Sequence, residues 1–267
     1  MRNRIISALI MLPLLVLVYM GDWALFVLCF AVSIAGIKEF FDAFASKGIH
    51  PSLGIASASL AGLYLLNIFL LYSKDGADGR LYLLWLVVSV LLSFILMFRA
   101  PERNAEDSMT TLTGILYIGF FAYHIVLMDQ LAHGELLIWL VLITAFGTDI
   151  MAYGTGKMIG RHKLCPQISP NKTVEGAIGG AIGSGIFCVI FGLILLPELL
   201  IHCIIIGVSG GVISQMGDLT ASVFKRKLGI KDYSSLIPGH GGIMDRIDSL
   251  LFTAPFVYYY CDVLLVK

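Results

Sequence analysis

The chain has 267 residues, 58% of them hydrophobic and 13% charged, with a formal net charge of zero and a mean hydropathy of +0.90. So few charges cannot coat a water-soluble surface, and a zero balance excludes a protein held to nucleic acid by its overall field. The five cysteines form no CxxC pair and have no His-rich spacing, so they read as small apolar residues, with neither a disulfide framework nor a zinc site expected.

Taken in order, apolar runs fall near 5–20, 22–37, 54–73, 80–98, 109–131, 135–154, 174–197, 199–217 and 248–266. About 20 apolar residues cross a bilayer as a helix, so the expected architecture is an all-α integral membrane protein with about nine transmembrane helices. The first two runs are short and parted only by Gly21 and Asp22; they read either as thinly matched spans or as a pair that does not fully cross. Met1-Arg-Asn-Arg before an apolar run has the shape of a signal peptide. A second apolar segment follows it with no small-residue cleavage site between, so the segment is read as retained. Polar stretches at 74–80 and 99–107 divide the chain into N-terminal helices (1–78), middle helices (79–134) and a C-terminal helix bundle (135–267) carrying polar loops 155–173 and 218–247.

If the runs cross in turn, fifteen of the eighteen Lys and Arg residues share the side of the N-terminus and of both polar loops. By the positive-inside rule that side is cytoplasmic. A multi-pass protein of the inner or plasma membrane is expected, with its N-terminus and its site inside and its C-terminus outside. Gly176 with Gly180, Gly179 with Gly183 and Gly207 with Gly211 have the spacing that lets helices approach closely in lipid. They predict a tight bundle able to hold the loops rigidly.

The densest polar stretch runs from Gln215 to Ser249. Asp245 and Asp248 are three apart and project from one helix face, while Asp218 closes the previous run on the same side. Three carboxylates at adjoining helix ends suit a hard cation such as Mg2+, which takes oxygen ligands and leaves room for phosphates. An isolated pair of this spacing would more simply start a helix and offset its dipole. Here the basic run and the Pro238-Gly-His-Gly-Gly242 turn favour the metal site. Gly239, Gly241 and Gly242 around His240 would bring backbone N–H groups close to an anion. Lys225, Arg226 and Lys227 read equally well as phosphate ligands and as juxtamembrane residues facing anionic lipid. In the other loop, Ser169-Pro-Asn-Lys-Thr173 reads as a helix start, with capping the simplest role for Ser169 or Thr173. Lys172 is unfavourable at a helix N-terminus unless an anion is bound. Asp149 is an ionisable group at membrane depth and therefore a candidate. Gly154-Thr-Gly-Lys157 lacks the spacing of a nucleotide-binding P-loop.

From Ser222-Val-Phe-Lys-Arg226 through Ile237-Pro-Gly-His-Gly-Gly242 to Asp245-Arg-Ile-Asp248, the chain resembles the signature of phosphatidate cytidylyltransferases (CDP-diacylglycerol synthases). The resemblance extends to Asp149-Ile-Met-Ala-Tyr153 and Ser169–Gly176, and covers the first hundred residues only as a multi-span apolar region. It implies transfer of the cytidylyl group of CTP to phosphatidic acid with Mg2+, a second cation being left open, and a homodimer, for which the middle helices near 80–131 are the expected interface. It assigns Asp218, Asp245 and Asp248 to metal, with Lys172 and Arg246 beside them in the catalytic group. Ser169, Asn171, Thr173, Lys225, Arg226, His240, Gly241 and Gly242 are assigned to nucleotide phosphate. A CTP-dependent polyprenol or phytol kinase is the alternative enzyme. A transporter would carry its charges nearer the bilayer midplane.

Overall fold

In lipid every peptide group must be bonded internally, so apolar runs of this length fold as helices. A computed structural model describes residues 13–72, 79–99, 103–236 and 241–265. The helices are α1 (Asp22–Ala45), α2 (Leu53–Tyr72) and α3 (Arg80–Phe94), the last continued by a 3-10 turn at Ile95–Arg99. They are followed by α4 (Ala105–Thr113), a wide π turn (Gly114–Phe120), α5 (Phe121–Asp129) and α6 (Gly134–Ile159). After a hairpin of β1 (Lys163–Cys165) and β2 (Ser169–Thr173) come α7 (Val174–Leu195), α8 (Leu200–Leu228) and α9 (Met244–Leu264).

Among the described residues seven helical segments are long and apolar enough to cross a membrane: α1, α2, α3 with its 3-10 turn, Ala105–Asp129, α6, α7 and Pro197–Leu228. The chain is thus a multi-pass membrane protein. The ninth apolar run forms α9, which carries Asp245, Arg246, Asp248 and Asp262 and is not among the seven. Much of the first run lies outside the described residues, although 13–20 are helical. The second run is not short. It continues to Ala45, giving 24 residues, because Lys38 pairs with Asp42 one turn on at 3.7 Å and Glu39 is buried against the rest of the protein.

The chain is all-α apart from one short antiparallel hairpin, in which Lys163 pairs with Thr173 and Cys165 with Ser169. Ser169–Thr173 is therefore a strand, and α7 starts only at Val174, with the Thr173 hydroxyl accepting from Gly176 N–H at 3.1 Å as its N-cap. All five cysteines are free.

Glycines set the spacing in the C-terminal bundle. A Cβ on Gly180 would stand 2.9 Å from the Cβ of Ala152 on α6, and one on Gly207 would stand 2.8 Å from the Cα of Gly185 on α7. Gly217 brings α8 onto α9, where a Cβ would lie 2.5 Å from the Asp248 carbonyl oxygen. Around α1 the contacts are aromatic instead. Phe40 meets Phe224 of α8 edge to face at 5.2 Å between ring centroids, and Tyr64 meets Phe26 at 4.8 Å. Asp129 secures the far end of α1 by accepting from Asp22 N–H at 2.8 Å.

Candidate active site

The polar residues singled out in the sequence gather where α6, α8 and α9 cross. Asp218 does not end its helix. α8 runs ten residues further to Leu228, with Lys225, Arg226 and Lys227 in its last turn and Gly229 at φ 69° closing it. Asp149 likewise stands ten residues before the end of α6. Both acids therefore lie about 15 Å along the axis from their helix ends, at 1.5 Å per residue.

The hairpin returns Lys172 to this level, where its ammonium pairs with Asp218, and Asp218 also accepts from the Ser222 hydroxyl at 3.4 Å. Ser249 connects two of the helices, its hydroxyl 3.3 Å from Asp149 Oδ2 and its N–H donating to Asp248 Oδ1 at 2.8 Å. Asp248 is close enough to both Asp218 and Asp149 to feel their charges. Lys225 reaches across from α8 to lie 2.8 Å from Asp245 Oδ1 and 4.0 Å from Asp248 Oδ2. The three-residue spacing does put Asp245 and Asp248 on one face. The Arg246 Nε–H is buried with no hydrogen-bond partner among the described residues.

Asp245 holds three partners. Besides Lys225, it accepts from Tyr233 N–H at 2.8 Å and from Gly242 N–H at 3.0 Å. Gly241 at φ 80° packs onto the same carboxylate, where a Cβ would lie 2.8 Å from Oδ2. The glycines of the turn do bring backbone N–H groups to an anion, but the anion is the protein's own. Burial, with Asp245 and Asp248 nearby, holds the Tyr233 phenol well above its ordinary range, so it stays protonated and donates to the Ala221 carbonyl at 3.3 Å.

Other candidates sit at the margin. Arg226 Nε donates to the Ile168 carbonyl at 3.0 Å, tying α8 to the hairpin rather than facing the acids. Thr173 caps α7 through its hydroxyl oxygen, Asn171 is exposed and Ser169 half-buried. His240 lies outside the described residues, together with Ile237, Pro238 and Gly239.

The donor set around Asp149, Asp218 and Asp248 consists of carboxylate oxygens, which fits a hard divalent cation. Two lysine ammonium groups already stand against carboxylates of this cluster, as a bound cation would. Among the described residues no three acidic, His or Cys side chains are drawn together closely enough to form a ready metal site. Asp245, expected as a ligand, already accepts from Lys225, Tyr233 N–H and Gly242 N–H, and a cation at its Oδ1 would stand where the Lys225 ammonium now lies.

A cleft of about 390 Å3 opens beside this cluster, lined mainly by Leu112, Leu116, Phe121, Thr220, Phe224 and Phe252. Tyr117, from the π turn, also lines it. Phe252 follows Asp248 by one helical turn on the same face of α9, so the apolar chamber adjoins the charged one on that side.

Sequence reasoning missed Glu39. It is 7% exposed and accepts from Ser234 Oγ at 2.6 Å, Ile243 N–H at 3.0 Å and Met244 N–H at 2.9 Å. A signal was present: with Gly36 and Asp42 three residues away and Ala35 and Ala43 four away, Glu39 has no cation on its own helix face. A carboxylate so placed in an apolar helix must find its partners elsewhere in the fold.

Residues 2–264 match the cytidylyltransferase family. The chain is 35% identical to the phosphatidate cytidylyltransferase of Bacillus subtilis, with 97% of each chain covered. It is 33% identical to that of a Synechocystis species, over 98% of this chain and 97% of the relative. It is 34% identical to that of Staphylococcus haemolyticus, over 96% and 95%.

Proposed function

The chain belongs to the cytidylyltransferase family, and from that premise we propose that it transfers the cytidylyl group of CTP to phosphatidic acid, giving CDP-diacylglycerol and pyrophosphate. The observation that carries this reading is the match, over nearly the whole length, to relatives named for that reaction. The site is suited to it. A lipid phosphate is already nucleophilic, so no activated Ser or Cys is needed. One of its oxygens attacks the α-phosphorus of CTP, the bond to the β-phosphate bridging oxygen breaks, and pyrophosphate leaves with the electron pair. Catalysis is then positioning and charge neutralisation.

Lys172, Lys225 and Arg246 supply positive charge to the phosphates, and the partnerless Nε–H of Arg246 is available to a phosphate oxygen. Asp218 and Asp248 would hold Mg2+, with Asp149 as the nearest third carboxylate and Asp245 serving to fix the loop before α9. Bound there, Mg2+ would neutralise charge on the triphosphate and the leaving pyrophosphate. The apolar cleft beside the acids would take the diacylglycerol chains while the headgroup reaches the charged cluster. The loops carrying most of the basic residues make this face cytoplasmic, with the C-terminus outside. Arg80–Phe98 is the least buried of the seven spans, and its outer face would join two copies in the homodimer implied by family resemblance.

The test is product identity. Supplied with CTP and phosphatidate, the purified protein should yield a CDP-lipid and pyrophosphate. CDP and a newly phosphorylated lipid would instead mark a CTP-dependent lipid kinase.

A further inference from the structure

The helix that carries Asp245, Arg246 and Asp248 has no cap of its own. Its N-cap residue is Ile243, whose side chain can accept nothing, and the first N–H groups of any helix lack partners within it. Those of Ile243 and Met244 are taken by Glu39, from a helix some two hundred residues earlier in the chain. The same carboxylate accepts from Ser234 Oγ in the loop that leads into α9. A Cβ on Gly242 would run into Glu39, so glycine at that position permits the close approach. A carboxylate against this helix end is also favourable to its dipole. On the other side of the same loop, Asp245 holds Tyr233 and Gly242. Lys38, beside Glu39, is engaged with Asp42.

We infer that Glu39 is a positioning residue for the transfer reaction: from the inner end of α1 it fixes the start of α9 and so sets where Asp248 stands relative to Asp218. Glu39 touches neither Asp248 nor the cleft; it acts through the backbone of residues 243 and 244. The inference rests on the proposed cytidylyl transfer for its kinetic readout, but the clamp can be measured without any reaction.

The experiment compares full-length wild type with Glu39→Gln in phosphatidate-containing detergent micelles. Gln keeps the length but turns one acceptor into an NH2 donor, which faces N–H groups that are donors themselves. Amide exchange across 241–247 should speed up by about ten-fold while exchange across Gly176–Ser184 on α7 stays as in wild type. The kcat should fall by about ten-fold, with KM for CTP and for phosphatidate within about two-fold of wild type. Unchanged exchange at 241–247, or wild-type kcat per folded molecule despite a lowered melting temperature, would overturn the inference. If Glu39→Gln does not accumulate, Ser234→Ala removes one of the three donors and leaves the helices intact. It should lower kcat by about two- to five-fold at constant KM, and a wild-type kcat there would overturn the inference equally. A wild type that forms no CDP-lipid would instead sink the functional reading, leaving the exchange result to decide the clamp.

Discussion

Where α7 and α8 cross, a Cβ added to Gly207 would come within 2.8 Å of the Gly185 Cα, and where α8 crosses α9 one added to Gly217 would come within 2.5 Å of the Asp248 carbonyl. Around α1 the helices are held apart by rings: Phe40 on Phe224 at 5.2 Å, Phe26 on Tyr64 at 4.8 Å and Tyr64 on Tyr123 at 5.2 Å between centroids. Backbone-to-backbone packing leaves almost no freedom in helix separation, whereas rings can tilt and refill space. The charged residues of the site sit mainly on the glycine-packed helices, which suits chemistry that depends on fixed positions for carboxylates and ammonium groups. The ring-packed part reaches the site through backbone contacts, at Glu39.

Substitutions in the two regions should therefore differ in kind. The largest effect is expected from Asp248→Asn, which should lower CDP-lipid formation by about a thousand-fold while detergent-extracted protein remains monodisperse; near-normal turnover would remove Asp248 from the charged cluster's function. Chelation of divalent cations should abolish turnover of the wild type, and added Mg2+ should restore it. Gly217→Ala is next. The added methyl must push α9 away from α8, and a displacement on the order of 1 Å should cost about a hundred-fold in kcat. In the ring-packed region Phe40→Ala should instead appear in stability, lowering it by about 3 kcal/mol in thermal unfolding, with less than about ten-fold change in kcat for the folded fraction. If Phe40→Ala lowered kcat as far as Gly217→Ala at unchanged stability, the contrast between the regions would fail. The smallest effect is expected from Leu65→Ala on α2, where Leu65 is 65% exposed and lies outside the proposed dimer face; stability should move by less than about 0.5 kcal/mol.

Much of this was legible in the sequence where periodicity and spacing carry the information. The apolar runs located the spans, the four-residue glycine spacing located the tight crossings, and Asp245 with Asp248 fell on one face beside Lys225. Legibility stopped where a partner lies far along the chain. Lys38, Glu39 and Asp42 looked like the end of a membrane segment because a linear reading cannot see that one pair neutralises itself and the remaining acid caps α9. Spacing fixes the face of Asp245 but does not show the Tyr233 and Gly242 N–H groups that its carboxylate also holds. Ser169–Thr173 carries helix-start residues, yet pairing with Lys163–Cys165 makes it a strand. The π turn at Gly114–Phe120 has no sequence period to announce it.

The central claim is tested most directly by incubating the purified chain with phosphatidate and CTP labelled at the α-phosphorus, with and without Mg2+. The account predicts label in CDP-diacylglycerol, equimolar pyrophosphate and dependence on Mg2+. Label recovered as CDP alongside an unlabelled, newly phosphorylated lipid, or no lipid product under any of these conditions, would contradict it.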